Sequence, residues 1–297
     1  MAKKQLKVNL IPAIRKLEAT IKGLVTTSIV GTYKSAFKGK GLEFEDYREY
    51  NLGDDASKID WKASARTNKL IVKEYIEERN LNVFFIVDVS DNMIFGSTEK
   101  LKNEYAAELV ASIAYITLRS GDRIGFTMFN NKPVKKSFPE GGMDQFYILS
   151  RDLLNPNNYG GEFDFNEALK FLLSFMKEKG LVIIVSDFIR LKKGWEERLN
   201  IASKKFDIIA MIVRDPRDEN MPDEDIQVIL SNPYENKQLI VNTKEIKTDY
   251  ERIAKEETNK FKQKLTELNV DFIELITSKS FVNPIMTFFK RRHDKWR

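Results

Sequence analysis

Asp88, Ser90 and Asn92 put three oxygen-bearing side chains within five residues. Carboxylate, hydroxyl and carboxamide oxygens are the hard donors that Mg²⁺ or Ca²⁺ takes. They follow directly on Val83 to Val87, an uninterrupted run of valine, isoleucine and phenylalanine. Such a run reads as a strand buried on both faces. Gly96, with Ser97 or Thr98, offers a turn and a helix cap before an apolar stripe that begins at Leu101. The donors therefore stand at the carboxyl end of a central strand, the edge at which open α/β sheets bind ligands. The plainer alternative is that Asp88 and Ser90 only cap the turn.

Other chemistry is narrowed by what the 297 residues contain. There is no cysteine, so disulfides, thiolate nucleophiles and zinc ribbons are excluded. The single histidine is His293, close to the end of the chain, which argues against Ser/His/Asp catalysis and clustered-histidine metal sites. With 42% apolar and 31% charged residues, the chain can bury a core. No apolar run approaches the roughly 18 residues that span a bilayer, and Met1 to Leu6 leads into no signal-peptide core. A cytoplasmic protein is the expectation. The net charge of +5 is unevenly spread, with nine Lys/Arg and one acid in residues 1–40 and six acids against two Arg in residues 214–225.

The elements that must position the donors can be read along the chain. Leu10, Ile14, Leu17, Ile21 and Leu24 predict a helix over 10–25. Leu101, Tyr105, Leu109, Ile113 and Ile116 predict another over 100–119. Strands are expected at 123–129 and 134–138, joined by a hairpin turn at 130–133. Helices follow at 143–154, 165–176 and 193–204, interleaved with apolar strands at 181–185 and 207–213. A short hairpin at 226–241, a helix at 244–268 and a strand at 271–276 complete the pattern. Alternating strands and helices predict an α/β fold with a doubly wound, mostly parallel sheet. The domain organisation reads as an N-terminal helix and loop-rich extension at 1–80, an α/β domain at 81–213, and a completing segment with a basic tail at 214–297.

Asp88-x-Ser90-x-Asn92, Gly121-Asp122-Arg123-Ile124-Gly125-Phe126 and Val185-Ser186-Asp187 together resemble a von Willebrand factor A domain, a Rossmann-like fold. That likeness implies a metal-ion-dependent adhesion site fed by three loops. Asp88, Ser90 and Asn92 match the first loop and Asp187 the third. In the second, Gly160-Gly161-Glu162-Phe163-Asp164 puts Phe163 where a threonine belongs, with Asp164 or Glu162 as substitutes. The implied cofactor is Mg²⁺, with Mn²⁺ or Ca²⁺ as alternatives and no organic cofactor, at a site degenerate in two of its five positions.

A wider likeness runs through Gly39-Lys40-Gly41-Leu42-Glu43-Phe44, Arg48-Glu49-Tyr50, Leu52-Gly53-Asp54-Asp55, Ile59-Asp60-Trp61, Ala65-Arg66-Thr67 and Val213-Arg214-Asp215-Pro216-Arg217. These motifs resemble domain-of-unknown-function family 58. The resemblance implies a MoxR-type AAA+ ATPase as protein partner and no enzymatic activity.

Residues 31–79 mix aromatics and charges too densely for a disordered linker. Lys40, Arg48, Asp54, Asp55, Asp60, Trp61 and Arg66 are the candidate partner-binding residues; the alternative is a structural skirt whose charges pair among themselves. No catalytic residue is assigned. Two further function classes remain open. The basic termini would suit nucleic acid or phosphate, and Asp88, Asp91 and Asp187 around Mg²⁺ would suit a hydrolase.

Overall fold

The computed structural model describes residues 43–51, 54–67, 69–76, 81–231 and 238–295. The helix expected over 10–25, and Lys40 with its flanking glycines, lie outside the described residues. The described chain falls into two compact units that divide between Leu81 and Asn82.

In the smaller unit, β1 (Glu43–Glu49) pairs antiparallel with β2 (Ile71–Ile76), with a register break between Phe44 and Asp46. Helix α1 (Trp61–Thr67) lies between them in sequence. The Ile71 amide donates to the buried Ser64 hydroxyl at 2.8 Å, tying α1 to β2. The described part of the segment read as loop-rich is thus built on a paired ribbon and a helix. Its strands escape periodicity arguments because neither shows a sustained alternation of apolar and polar residues.

The larger unit begins with β3 (Asn82–Asp88), α2 (Lys102–Arg119), β4 (Arg123–Phe129) and β5 (Pro133–Glu140). Helices α3 (Met143–Leu153) and α4 (Phe165–Phe175) lead to β6 (Leu181–Ser186). Then come α5 (Trp195–Lys205), β7 (Asp207–Arg214) and the hairpin of β8 (Gln227–Ser231) and β9 (Gln238–Asn242). The chain closes with α6 (Thr243–Glu267), β10 (Asp271–Ile276) and α7 (Val282–Lys295).

Six strands form one sheet in the order β10-β7-β6-β3-β4-β5, parallel throughout except at the β5 edge. Val83 to Val87 pair in register with Leu181 to Val185, so the two apolar runs are adjacent central strands. Ranked by sequence within the sheet, this is the order 3-2-1-4-5-6, whose reversal point lies between β3 and β6.

Alternation along the strands sends side chains to both faces. Phe84, Ile86, Val182, Ile184 and Ile208 pack with Leu169 and Leu172 of α4, Leu199 of α5 and Phe261 of α6. Val83, Phe85 and Val87 point to the opposite face, which α2 covers. There the Tyr105 ring meets Phe281, just before α7, edge-on at 5.5 Å. Each fully buried side chain of this kind contributes about 1.5–3 kcal/mol. Gly125 is required by close packing: a Cβ there would lie 2.7 Å from the Pro139 nitrogen and 2.9 Å from the Phe84 ring.

Two expectations are corrected. The basic tail is a helix, α7, and Arg292 is buried in it, donating to Asp271 at 2.7 Å and pairing with Asp207. Helix α2 starts at Lys102, and neither Ser97 nor Thr98 caps it. Its first turn is served instead by Glu104, which accepts from the Leu101 amide at 2.9 Å.

Candidate functional site

Asp88 and Asp187 stand at the carboxyl ends of the two central strands, at the point where strand order reverses. Both are buried. Asp88 accepts from the Ser90 amide at 2.9 Å and from the Ser186 hydroxyl at 2.6 Å. Burial first, and then the neighbouring charge of Asp187, push its pKa up to about 7.

The counter-charge comes from a residue the motif reading passed over. Lys102, in the first turn of α2, is buried. Its Nζ donates to Asp187 Oδ2 at 2.7 Å and to Asp218 Oδ1 and Oδ2 at 3.1 and 3.0 Å. Its backbone amide donates to the Phe95 carbonyl at 2.8 Å, and its ammonium lies 5.6 Å from the Phe95 ring centre. Burial opposes the charge on Lys102, but Asp187 and Asp218 outweigh it and raise the pKa. Asp218 is itself pushed up by burial, and Asp187 adds to this against the pull of Lys102.

Beside this cluster, the loop after β7 is held by Asp215. Its carboxylate accepts from the Ser97 amide at 2.7 Å, the Ser97 hydroxyl at 2.6 Å, the Arg217 amide at 2.8 Å and Thr277 Oγ1 at 3.3 Å. Burial works against ionisation, but these donors hold the pKa below its ordinary value. Asp91, just beyond Ser90, exchanges bonds with the Gly160–Gly161 loop. Its amide donates to the Gly161 carbonyl at 2.8 Å, and the Gly161 amide donates to Asp91 Oδ2 at 3.1 Å. Gly161 holds φ at +84°, a conformation glycine adopts without strain.

The expected donor set can now be tested for a divalent cation. Asp88 and Ser90 are brought together, and Asp187 lies next to Asp88. Asn92 sits half-buried in the turn formed by Asp91–Met93. Asp164 is used elsewhere: one oxygen caps α4 by accepting from the Glu167 amide at 3.1 Å, and the other faces Lys192 at 3.4 Å. Phe163 is buried in the core. All four carboxylate oxygens of Asp88 and Asp187 already take donors from the protein, the last being the Ile189 amide on Asp187 Oδ1 at 3.0 Å. The Ser90 hydroxyl is buried near Asp88 but makes no hydrogen bond of good geometry. Among the described residues, no group of three or more His, Asp or Glu side chains is arranged to hold a metal ion. The Lys102 ammonium stands on the Asp187 oxygen at which the motif would place a divalent cation.

The candidate partner-binding residues of the smaller unit divide by role. Arg48 makes a two-pronged pair with Asp54, at 2.6 and 2.9 Å. Asp55 caps the turn at Ala56–Lys58 by accepting from the Ser57 amide. Asp60 caps α1, accepting from the Lys62 and Ala63 amides at 2.9 and 3.1 Å, and also accepts from the Tyr47 hydroxyl. These four residues hold local structure. Trp61 is different, with 67% of its surface exposed, and Arg66 is exposed as well.

Sequence reasoning missed Lys102, Asp218 and Asp215. A signal for Lys102 was present: counting back from Ile113, Leu109 and Tyr105 puts it on the apolar stripe of α2. A lysine in that stripe needs an acidic partner.

Fold and site together define a mixed α/β protein with a mostly parallel sheet and an ion-paired acidic cluster at the sheet's carboxyl edge. A family model described as "Protein of unknown function DUF58" matches residues 46–260, and the chain belongs to that family. The uncharacterized protein Rv1480 of Mycobacterium tuberculosis is 28% identical over 218 residues, covering 72% of this chain and 68% of the relative. The uncharacterized protein YeaD of Bacillus subtilis is 30% identical over 100 residues, covering 34% of this chain and 23% of that protein. Among solved structures, the conserved hypothetical protein BatB of Bacteroides thetaiotaomicron matches with a TM-score of 0.46 at 15% identity, covering 72% of this chain and 99% of that one. An aerotolerance-related membrane protein of Bacteroides fragilis matches at 0.45 and 14%, with the same shares covered.

Proposed function

We propose that the chain is a non-enzymatic protein-interaction module of von Willebrand A-like build, and that its partner is a MoxR-type AAA+ ATPase. The observation that carries the interaction reading is Trp61. An indole 67% exposed at the start of a helix leaves a large apolar face in water, and tryptophan is among the residues that anchor protein interfaces. Arg66, exposed in the last turn of the same helix, adds a second side chain of the kind interfaces favour.

The von Willebrand A-like reading is supported by the strand order and by the acids at its reversal point. The motifs shared with family 58 support the choice of partner. No helix of the described residues is long and apolar enough to cross a membrane, and the same reading sets the protein in the cytoplasm.

The test is affinity purification of the tagged full chain from its source cell, with identification of what co-elutes. Enrichment of an AAA+ ATPase, lost in Trp61→Ala, is the expected result. Retention of the same ATPase by Trp61→Ala would move the interface elsewhere. Absence of any ATPase would reject the partner.

A further inference from the structure

We propose that the Lys102 ammonium stands in for the divalent cation of an adhesion-type site. On this view the carboxyl edge of the sheet is held by a covalently attached charge and takes no metal. The proposal rests on the von Willebrand A-like reading of the fold, but not on the identity of any partner.

Lys102 joins three pieces of chain at this edge: the first turn of α2, the residue after β6 and the turn after β7. Asp187 lies 85 residues from Lys102 in sequence and Asp218 lies 116. Bridging loops at a sheet edge is what an adhesion-type cation does. An ammonium has three N–H donors and no acceptor, and Lys102 directs them at three carboxylate oxygens between 2.7 and 3.1 Å away.

The helix itself does not favour a lysine at this position. It stands in the first turn of a helix, where the peptide dipoles repel a cation, and on the stripe that faces the core. Acids from distant loops supply what the helix does not. The Asp187 oxygen facing Lys102 is one the sequence motif assigned to a metal. A cation there would sit at roughly 2.1 Å from its ligands and would have to displace the ammonium. Removing the lysine would leave Asp187 and Asp218 buried, close together and without their counter-charge, beside Asp88 and the Ser90 hydroxyl. The oxygens freed by that change are Asp187 Oδ2 and those of Asp218 that faced the ammonium, and an added cation would answer their charge.

The experiment compares the full-length protein with Lys102→Met, whose side chain is similar in length and uncharged. Thermal melting is recorded in chelator and with millimolar Mg²⁺, Mn²⁺ or Ca²⁺. The expected result is a wild-type melting temperature that no cation changes. Lys102→Met should melt lower in chelator and recover by about 5 °C or more with at least one cation. That recovery should vanish in Lys102→Met/Asp187→Asn.

A wild-type melting temperature that rises with Mg²⁺ or Mn²⁺, and no longer does so in Asp88→Asn, would overturn the proposal by showing a metal bound with the lysine in place. A folded Lys102→Met that gains nothing from any cation would overturn it too. If Lys102→Met does not fold in chelator, refolding from urea decides. Recovery only with a divalent cation supports the proposal, and failure in every condition rejects it. Failure of the partner assay leaves these outcomes untouched.

Discussion

Lys102 Nζ lies 2.7 Å from Asp187 Oδ2, with each side chain only 2% exposed. The pair joins the start of the helix after β3 to the end of β6, so it locks the central strand unit to its neighbour. A buried pair of this kind is costly to assemble and more costly to break, because the survivor is left charged and dry.

Lys102→Ala should therefore lower stability by about 3–5 kcal/mol. Asp218→Asn should cost less, since Asp187 still holds the ammonium. Urea denaturation of the two variants at pH 8, read by far-ultraviolet circular dichroism, checks the ranking. Equal losses would mean that Asp187 alone does not hold the ammonium in place.

Asp88 predicts a pH dependence of known sign. Its folded pKa, about 7, lies above the ordinary value of 3.8, so the folded protein holds this proton more tightly than the unfolded chain. The stability that this proton provides is complete below the ordinary value and is lost as pH rises through about 7. Asp218, also raised, acts in the same direction. Between pH 5 and pH 8, wild-type stability should fall relative to Asp88→Asn, which cannot ionise. Melting curves of both proteins across that range provide the check, and a constant difference between them would remove the claim.

Asp215 behaves in the opposite way. Its pKa is lowered, so its contribution is present above the ordinary value of 3.8 and is lost as pH falls through the folded value. Asp215→Ala strips acceptors from Ser97, Arg217 and Thr277 at once. With hydrogen bonds to a charged group worth about 1.5–3 kcal/mol each, and with some donors turning to water, a loss of about 2–3 kcal/mol at pH 7 is expected. Asp215→Asn, which keeps an acceptor, should lose less. Chemical denaturation at neutral pH distinguishes them.

In the smaller unit, Arg48 and Trp61 should separate stability from binding. Arg48→Ala breaks a two-pronged pair that is only partly shielded, so a loss of about 1 kcal/mol or less is expected. Trp61→Ala and Arg66→Ala should leave the melting temperature nearly unchanged and weaken capture of the ATPase. Calorimetry on the purified variants, followed by co-elution, tests both halves. Trp61→Ala that melts lower and still captures the partner would mark the indole as structural.

Much of the α/β unit is legible in the sequence. Val83–Val87, Leu181–Val185 and Ile208–Val213 are apolar without interruption because each is buried on both faces, and burial leaves a local pattern in composition. The helical stripes of α2, α4 and α6 are local in the same way, and so is the arrival of Asp88 and Asp187 at strand ends. What each acid does there was decided by tertiary structure alone. Asp187 meets Lys102 and Asp215 meets Ser97 because the sheet order carries distant loops to one edge, and ion-pair partners are set by that order and not by spacing. Asp164 shares its loop with Gly161, yet its carboxylate turns to the start of α4 and to Lys192. Helix α7 was hidden for a related reason: Phe288 to Arg292 reads as a charged tail until Asp207 and Asp271 supply the partners that let Arg292 be buried.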